Sequence, residues 1–267
     1  MWPLPPINVH NVDMSSIPGT QVIGRAAAVM RAVGAAMPRG LSTSAVATAT
    51  GLARPTAHRL LASLAAEGFV DHDALSGRWV PGPELYLLGA AAAERYDITA
   101  TARPIVRALA EATGESAFLS ARRGDETVCL LREDGAFPIR SHVLHEGIRF
   151  PLGVASAGLA ILAFLPDGTI ESYLAAAGLS AFGAAHEPAR VRERVAVTRA
   201  TGYAVNPGLL VEGSWGMGAA VFDGSDHPAW ALSLTGIEAR FSAERQPELG
   251  RLLLEHAHRL TQRLRGR

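Results

Sequence analysis

The chain has 267 residues, of which 48% are hydrophobic and 19% charged, and its 25 basic residues are balanced by 25 acidic ones. This composition is typical of a globular protein with more than one core, and it argues against a strongly basic nucleic-acid binder. No apolar run approaches the roughly 18 residues of a membrane span, so we expect no membrane segment. The single cysteine, Cys129, excludes an internal disulfide framework and fits a reducing cytoplasm, where we expect the protein to act.

The charges are unevenly distributed along the chain. All 25 basic residues are arginine. Between Met14 and Ala66 there is no Asp or Glu, whereas five arginines fall in this stretch: Arg25, Arg31, Arg39, Arg54 and Arg59. A purely cationic stretch in a balanced chain predicts a local contact with an anionic partner such as nucleic acid.

Residues 1–20 are predicted to form a disordered leader. They contain four prolines and lack the order of basic, apolar and small residues that marks a signal peptide.

Residues 21–82 are predicted to fold as a winged helix-turn-helix domain. Apolar residues at helical spacing predict a first amphipathic helix, whose apolar stripe begins at Val22 and Ile23. Ser42 is the expected N-cap of a short second helix over residues 43–50, which ends at Gly51. A third helix with Pro55 in its first turn has an apolar stripe, and two strand-like runs (69–71 and 78–80) around a polar turn predict a hairpin. The stripe of the third helix consists of Ala57, Leu60, Leu61 and Leu64.

The remainder predicts a linker helix over residues 83–97 and a second domain over residues 98–267. Strands are expected at 116–121, 126–132, 139–143, 203–205, 216–223 and 230–236. Helices are expected at 99–113, 156–165, 168–177, 188–200 and from Ser242 to near the C-terminus. Runs of strands with helices at both ends indicate an α+β domain.

The third helix of the first domain carries the residues expected to contact DNA. Its apolar stripe faces the core, so its polar side chains are left for a partner, and a major groove admits one α-helix whose N-terminal residues meet base edges and phosphates. Solvated surface residues are the alternative, which the acid-free surroundings and the following hairpin weaken. The residues that we expect at the DNA are Ser42, Arg54, Pro55, Thr56, His58, Arg59 and Arg78.

Several segments resemble the IclR family of bacterial transcriptional regulators. The stretch from Leu41 to Leu61, with Thr-Ala-His-Arg-Leu-Leu at 56–61 and Glu-Gly-Phe-Val at 67–70, is similar to that family's DNA-binding domain, and 77–82 resembles its wing exit. Shorter similar segments follow in the family's order at 102–104, 109–115, 147–152, 202–205 and 219–223. The resemblance therefore runs from Val22 to the C-terminus.

The resemblance implies a GAF-like effector-binding domain for a small, anionic or aromatic metabolite. It also implies homodimers or dimers of dimers on palindromic operators in double-stranded DNA. By position, it implies an effector pocket lined by Ala155, Ser156, Asn206, Gly216, Met217, Ser233 and Thr235.

The residues themselves support part of this pocket. Ser156 begins a predicted helix, where free N–H groups favour an anion, and Ser233 and Thr235 share one face of a strand. Solvated hydroxyls on an edge strand are the alternative for the last two. Many relatives have an acidic pair where this chain has Asn206-Pro207, and a cysteine at Gly216, which implies a roomier pocket with a different ligand.

Other classes of protein fit the sequence less well. A nucleophile elbow requires Gly-x-Ser-x-Gly, and residues 154–158 have Val154 in place of the first glycine. The glycine-rich segment 213–218 lacks the order of a dinucleotide fingerprint. His142 and His145 lie in a predicted strand or loop rather than on a helix, so we expect no metal site.

We therefore predict a sequence-specific DNA-binding transcriptional regulator controlled by a small-molecule effector of a catabolic pathway. We expect no enzyme activity, no metal and no cofactor. The alternatives are a small-molecule hydrolase or metal-dependent protein with an accessory winged helix, and a winged helix that binds only protein.

Overall fold

A computed structural model describes residues 21–96 and 98–266 of the chain. The predicted leader, residues 1–20, lies outside the described residues. The chain divides between Asp97 and Ile98 into two compact units.

The first unit combines helices with one hairpin. Ser42 Oγ accepts a hydrogen bond from the Ala45 N–H and so caps α2 as predicted, while Gly51, at a φ of 67°, ends it in the left-handed conformation. Pro55 lies in the first turn of α3, where no intrahelical N–H partner is needed. The elements are α1 (Gln21–Ala35), α2 (Thr43–Thr50), α3 (Arg54–Ala66), β1 (Val70–Asp73), β2 (Arg78–Pro81) and α4 (Pro83–Tyr96).

The core of the first unit lies between α1, α2, α3 and the hairpin, around Val29, Val46, Leu61 and Trp79. Val22 and Ile23, the first two apolar residues of α1, are 60% and 71% exposed and lie outside this core. The core reaches α1 only beyond its first turn, so the start of the helix keeps an apolar surface.

The second unit is built on one antiparallel sheet of six strands in the order β5-β4-β3-β8-β7-β6. Its strands are β3 (Ser116–Arg123), β4 (Glu126–Glu133), β5 (Arg149–Pro151), β6 (Ala204–Pro207), β7 (Ser214–Phe222) and β8 (Pro228–Ile237). Its helices are α5 (Ile98–Thr113), α6 (Ser156–Ala163), α7 (Asp167–Ala176), α8 (Pro188–Thr201) and α9 (Gln246–Arg265).

Helices cover both faces of the sheet. Successive residues of each strand point to opposite sides, and both sides carry apolar residues that pack against helices. Leu232 and Leu234 of β8 pack in a core with residues of α5 and α9. Phe118 of β3 and Ala231 of β8 pack in a second core with residues of α6, α7 and α8. Every residue of α6 is buried, so this helix is the centre of the second core.

The strand expected at 139–143 is wrong. Residues 134–148 form neither helix nor strand, and they connect β4 to β5, which was not predicted. Pro138 has no N–H to donate, and side chains bind the local backbone in place of a neighbouring strand. Arg140 donates to the carbonyls of Gly135 and Phe137, and Ser141 Oγ accepts from the Val143 N–H.

The last helix begins at Gln246 rather than at Ser242. The Ser242 carbonyl accepts hydrogen bonds from the N–H groups of both Arg245 and Gln246. Residues 242–245 therefore form a separate turn that precedes α9. The other predicted helices and strands agree with the structure to within a few residues.

Glu115 and Cys129 are both buried in the second unit. The carboxylate of Glu115, only 2% exposed, accepts hydrogen bonds from Arg240 and Arg245 at 2.7 Å each, which ties the end of α5 to the segment before α9. Cys129 is buried in the core beside α6, and burial raises the pKa of its thiol to about 12.

No helix in the described ranges combines the length and the apolar character needed to cross a bilayer. Among the same residues, no group of three or more His, Cys, Asp and Glu side chains is arranged to hold a metal ion.

Candidate nucleic-acid interface and ligand site

One face of α3 presents an uninterrupted set of exposed side chains. Arg54 and His58, like Pro55 and Arg59, are one helical turn apart, and all four are exposed, whereas Ala57, Leu61 and Leu64 are buried. Together with Thr43 of α2, these residues line an open depression of about 660 Å³. Within residues 21–96 and 98–266, the side chains of Arg54, His58 and Arg59 have no hydrogen bond or ion pair, so their donors are available to a partner.

The other residues expected at the DNA have partners or partial cover. Ser42 caps α2, and Thr56 is half-buried. Arg78 is exposed, and its Nη1 donates to the Gly40 carbonyl at 3.1 Å, which fixes the base of the hairpin and leaves other donors of the guanidinium for a partner.

Thr43 is a member of this face that sequence reasoning missed. Its Oγ1 accepts a hydrogen bond from Trp79 Nε1 at 3.0 Å, so it joins α2 to the hairpin. The only feature of the sequence that could have indicated Thr43 is its position directly after the Ser42 cap. The approach of Trp79 depends on the tertiary fold.

In the second unit, small and polar side chains form two rows across the α6 side of the sheet. The registers place Ser233 of β8 between Phe118 and Gly218, and Thr235 between Ser116 and Gly216. The second row ends at Asn206 of β6, which pairs with Gly216. Sequence reasoning missed Ser116 and Phe118, because strand pairing between distant segments brings them here.

The N-terminus of α6 lies directly on these rows. A methyl group at Gly218 would be 2.7 Å from the Ser156 carbonyl oxygen and 3.0 Å from the Ala157 nitrogen, so only glycine permits this approach. A methyl group at Gly216 would be 3.1 Å from Ser156 Oγ. The Ser156 hydroxyl therefore takes up part of the volume that a larger side chain at position 216 would need.

Two hydroxyls in this site have no hydrogen-bond partner among the described residues. Ser233 Oγ and Thr235 Oγ1 are buried, and the side chains of both residues are on the face that α6 covers. Leaving a buried hydroxyl unpaired costs about 1–3 kcal/mol, so a native protein that retains two of them side by side is expected to use them.

Three side chains hold the loop before α6. Asn206 Nδ2 donates to the Val154 carbonyl at 2.9 Å, and a ring nitrogen of His186 lies 3.3 Å from the same oxygen. Arg194 Nη2 donates to the Gly153 carbonyl at 3.3 Å. Burial and the nearby Arg194 charge lower the pKa of His186, and burial lowers the pKa of Arg194.

The amide of Asn206 is used at both ends, because its Oδ1 also accepts from the Leu209 N–H at 2.9 Å. It therefore ties the loop before α6 to the loop that follows β6, while one N–H of its amide group is left for a further contact.

The loop 134–148 closes one side of the same region. Ser141 Oγ lies 2.6 Å from Ser214 Oγ, and Ser214 shares the strand face of Gly216. At the β3 end, the Arg132 guanidinium is 6.0 Å from the centre of the Phe118 ring.

The structure brings six of the seven residues expected at the effector together. Ala155 is the N-cap of α6, beside Ser156. Met217 is the exception, because its side chain points to the opposite face and is fully buried in the core with α5 and α9.

Comparisons with known proteins give matches over both units of the chain. Residues 22–74 match the model of the IclR helix-turn-helix domain, and residues 90–262 match the model of the bacterial transcriptional regulator IclR C-terminal domain. The glycerol operon regulatory protein of Streptomyces coelicolor is 31% identical over 234 residues, which cover 86% of this chain and 90% of that protein.

Solved structures show the same fold. The IclR transcriptional regulator of Alicyclobacillus acidocaldarius has a TM-score of 0.75 at 26% identity, over 90% of this chain and 97% of its own. An IclR homologue of Microbacterium hydrocarbonoxydans, complexed with 4-hydroxybenzoate, also has a TM-score of 0.75, at 20% identity, over 92% of this chain and 100% of its own.

A first prediction concerns the contact of α6 with β7. Replacing Gly218 with Ala places a methyl group against the Ser156 backbone, so we expect a loss of about 1–3 kcal/mol in the free energy of unfolding of the second unit. Gly216→Ala is the matched control, since its methyl group meets a hydroxyl that can rotate, and it should cost less. Urea unfolding followed by circular dichroism measures both, and equal losses would contradict the argument.

Proposed function

Because the chain belongs to the IclR family of bacterial transcriptional regulators, we propose that it binds a palindromic operator as a dimer, and that a small molecule seated under α6 alters its affinity for that operator. The matches to the family's two domain models indicate a helix-turn-helix DNA-binding domain and an effector-binding C-terminal domain. We propose that the chain acts by binding alone, without a catalytic residue, in the cytoplasm where the chromosome lies.

The proposed DNA contacts rest on the free donors of α3. Arg54 and Arg59 lie in the first two turns, the part of a recognition helix that meets base edges and phosphates, and no partner within the described residues uses their guanidinium groups. His58 and Thr56 add donors beside them. Ser42, Pro55 and Arg78 would shape and flank this surface, to which we add Thr43.

A second prediction tests this surface. Arg59→Ala should weaken binding to the operator by about 1–3 kcal/mol, and if Arg59 pairs with a guanine the loss should be concentrated at one base pair. Arg54→Ala should weaken binding at every sequence and lower the salt dependence by about one phosphate if it contacts the backbone. Fluorescence anisotropy with duplexes selected from a random pool measures both.

The control for these variants is Arg190→Ala, which removes an exposed arginine from α8 of the second unit. Unchanged affinity for both Arg54→Ala and Arg59→Ala would show that α3 is not the recognition helix.

The proposed effector site rests on one observation, the two unpartnered hydroxyls of Ser233 and Thr235 beneath the start of α6. A ligand carboxylate or hydroxyl could pair with them, and the free N–H groups at the start of α6 favour negative charge on that ligand. Phe118, in the same row as Ser233, offers an aromatic surface. We propose a small carboxylate, the class to which the 4-hydroxybenzoate of the Microbacterium homologue belongs.

A third prediction separates a ligand-binding role of these hydroxyls from a structural one. Ser233→Ala and Thr235→Val each delete a hydroxyl that is unpaired in the protein alone, so thermal stability without effector should stay equal or rise. Effector affinity should fall, because a ligand group then loses its partner. Thermal shift with a panel of small carboxylates that includes 4-hydroxybenzoate measures both effects.

Binding of the variants to DNA without effector should remain normal, which provides the control. A loss of stability in both variants would identify these residues as structural. Unchanged ligand affinity in the double variant would place the effector elsewhere.

The proposed dimer rests on apolar surface that the first unit leaves exposed. Val22 and Ile23 at the start of α1 and a run of three apolar residues on α4, Tyr86, Leu87 and Leu88, are all exposed. Large exposed apolar side chains grouped in this way are typical of interfaces between subunits. One winged helix buries too little surface for tight specific binding, so a second copy would supply the second half-site.

A fourth prediction tests this surface. The double change Leu87→Ser and Leu88→Ser should shift the protein from dimer towards monomer at micromolar concentration and weaken its binding to the two-half-site operator. Sedimentation velocity measures the assembly, with Val197→Ser, an exposed valine of α8, as the control. A wild-type protein that sediments as a monomer, with and without DNA, would contradict the proposal.

A further inference from the structure

The tip of the hairpin presents one fully exposed leucine. Leu75 lies in the turn between β1 and β2 and is 100% exposed. Single exposed leucines are common on protein surfaces, but this one belongs to a turn with a defined conformation. The Asp73 carboxylate accepts hydrogen bonds from the Leu75 N–H at 2.9 Å and from the Ser76 hydroxyl at 2.7 Å, and the Gly77 N–H donates to the Asp73 carbonyl. The turn therefore holds Leu75 outward.

The hairpin is joined firmly to the face of α3. The backbones of Leu41 and Trp79 exchange two hydrogen bonds, at 2.8 and 3.0 Å, and the Trp79 ring is buried in the core of the unit. Trp79 Nε1 donates to Thr43, which lines the depression shared with Arg54 and Arg59. Leu75 thus projects from the same structural body as the proposed recognition surface.

The tip has no arginine or lysine with which to contact a phosphate. Residues 71–77 contain no arginine or lysine, whereas Asp71 and Asp73 both lie there. DNA offers an apolar side chain two kinds of partner, the thymine methyl group in the major groove and the base stack reached from the minor groove. If α3 occupies the major groove, the next groove on the side of the hairpin lies across one phosphate backbone.

The reach of the hairpin is sufficient for that crossing. Leu75 precedes Trp79 by four residues, so the two are separated by at most roughly 13 Å, the length of four residues of extended strand. The grooves of B-DNA are about 12 and 6 Å wide, so a tip at this distance can enter the minor groove that adjoins an occupied major groove.

We propose that Leu75 enters the minor groove beside each half-site and wedges between two base pairs, at a flexible pyrimidine–purine step. Partial unstacking there bends the duplex, and the step is selected because it deforms easily rather than because its base edges are read. This inference rests on the proposed function of α3 as the recognition helix.

The first experiment compares affinities of the full-length protein. Duplexes selected by the wild-type chain from a random pool are titrated by fluorescence anisotropy at several salt concentrations. Leu75→Ala and Leu75→Ser should each weaken binding by about tenfold, because the apolar contact that Leu75 buries between the base pairs is lost. The salt dependence should not change, because no phosphate contact is removed. Leu75 makes no side-chain packing contact in the fold, so both variants should fold, and Val197→Ala is the matched loss of an exposed apolar side chain.

The second experiment detects the wedge itself. 2-Aminopurine replaces each adenine flanking a half-site in turn, and its fluorescence rises when the base is unstacked. Wild-type protein should raise the signal at one position per half-site, and Leu75→Ser should not. Wild-type affinity in both Leu75 variants overturns the proposal, and so does weaker binding without a 2-aminopurine signal.

Two further outcomes separate this proposal from its alternatives. Unchanged affinity of the Leu75 variants together with a loss for Arg59→Ala would overturn the wedge alone and retain α3 as the recognition helix. Altered transcription by RNA polymerase in vitro at unchanged DNA affinity would overturn it in favour of a protein partner for Leu75.

Discussion

The backbone of α6 approaches β7 so closely at Gly218 that any side chain there would overlap the Ser156 carbonyl. This contact brings the N-terminus of a completely buried helix onto a sheet face whose neighbouring positions are Ser233 and Thr235. Without it, the free N–H groups of α6 and the two unpartnered hydroxyls would be separate features. With it, they form one polar surface inside an apolar core, where the low dielectric strengthens any hydrogen bond that a ligand makes.

The two units use arginine for different purposes. In the first unit, Arg54 and Arg59 have no partner within the described residues, so their charge faces outward. In the second unit, Arg194 and Arg199 donate to backbone carbonyls around α6, and Arg240 joins Arg245 on the buried Glu115. A planar group with five donors suits both tasks, because it can pair with a guanine or tie several loop carbonyls together.

Local sequence signals predicted local structure well. Ser42 and Gly51 delimit α2 because each satisfies backbone groups that a helix end leaves unpaired, and these signals are independent of the rest of the fold. The alternation of Ser233 and Thr235 with two leucines likewise indicated a shared face. The strand expected at 139–143 failed because side chains of that segment bind the local backbone: Ser141 accepts from the Val143 N–H, and Arg140 donates to the Gly135 carbonyl. No periodicity reveals such partners.

The composition of the proposed ligand site was harder to predict. Met217 was grouped with Gly216 by its position in the family, although adjacent strand residues point to opposite faces, and the sheet separates them. Ser116, Phe118 and His186 enter the site from segments far away in the chain, so only strand pairing and helix packing bring them there. The volume expected at Gly216 depends on the Ser156 hydroxyl, which no local pattern places opposite it.

The six-stranded sheet has its shortest strands at its two borders. β5 has three residues and β6 has four, the last of which is Pro207, while β7 and β8 in the interior have nine and ten. A border strand of this length offers few unpaired N–H and C=O groups, and proline removes one donor outright. The sheet is thereby poorly suited to recruit a strand from another molecule. The proposed dimer would then depend on helical surfaces, where side chains rather than main-chain hydrogen bonds decide which surfaces pair.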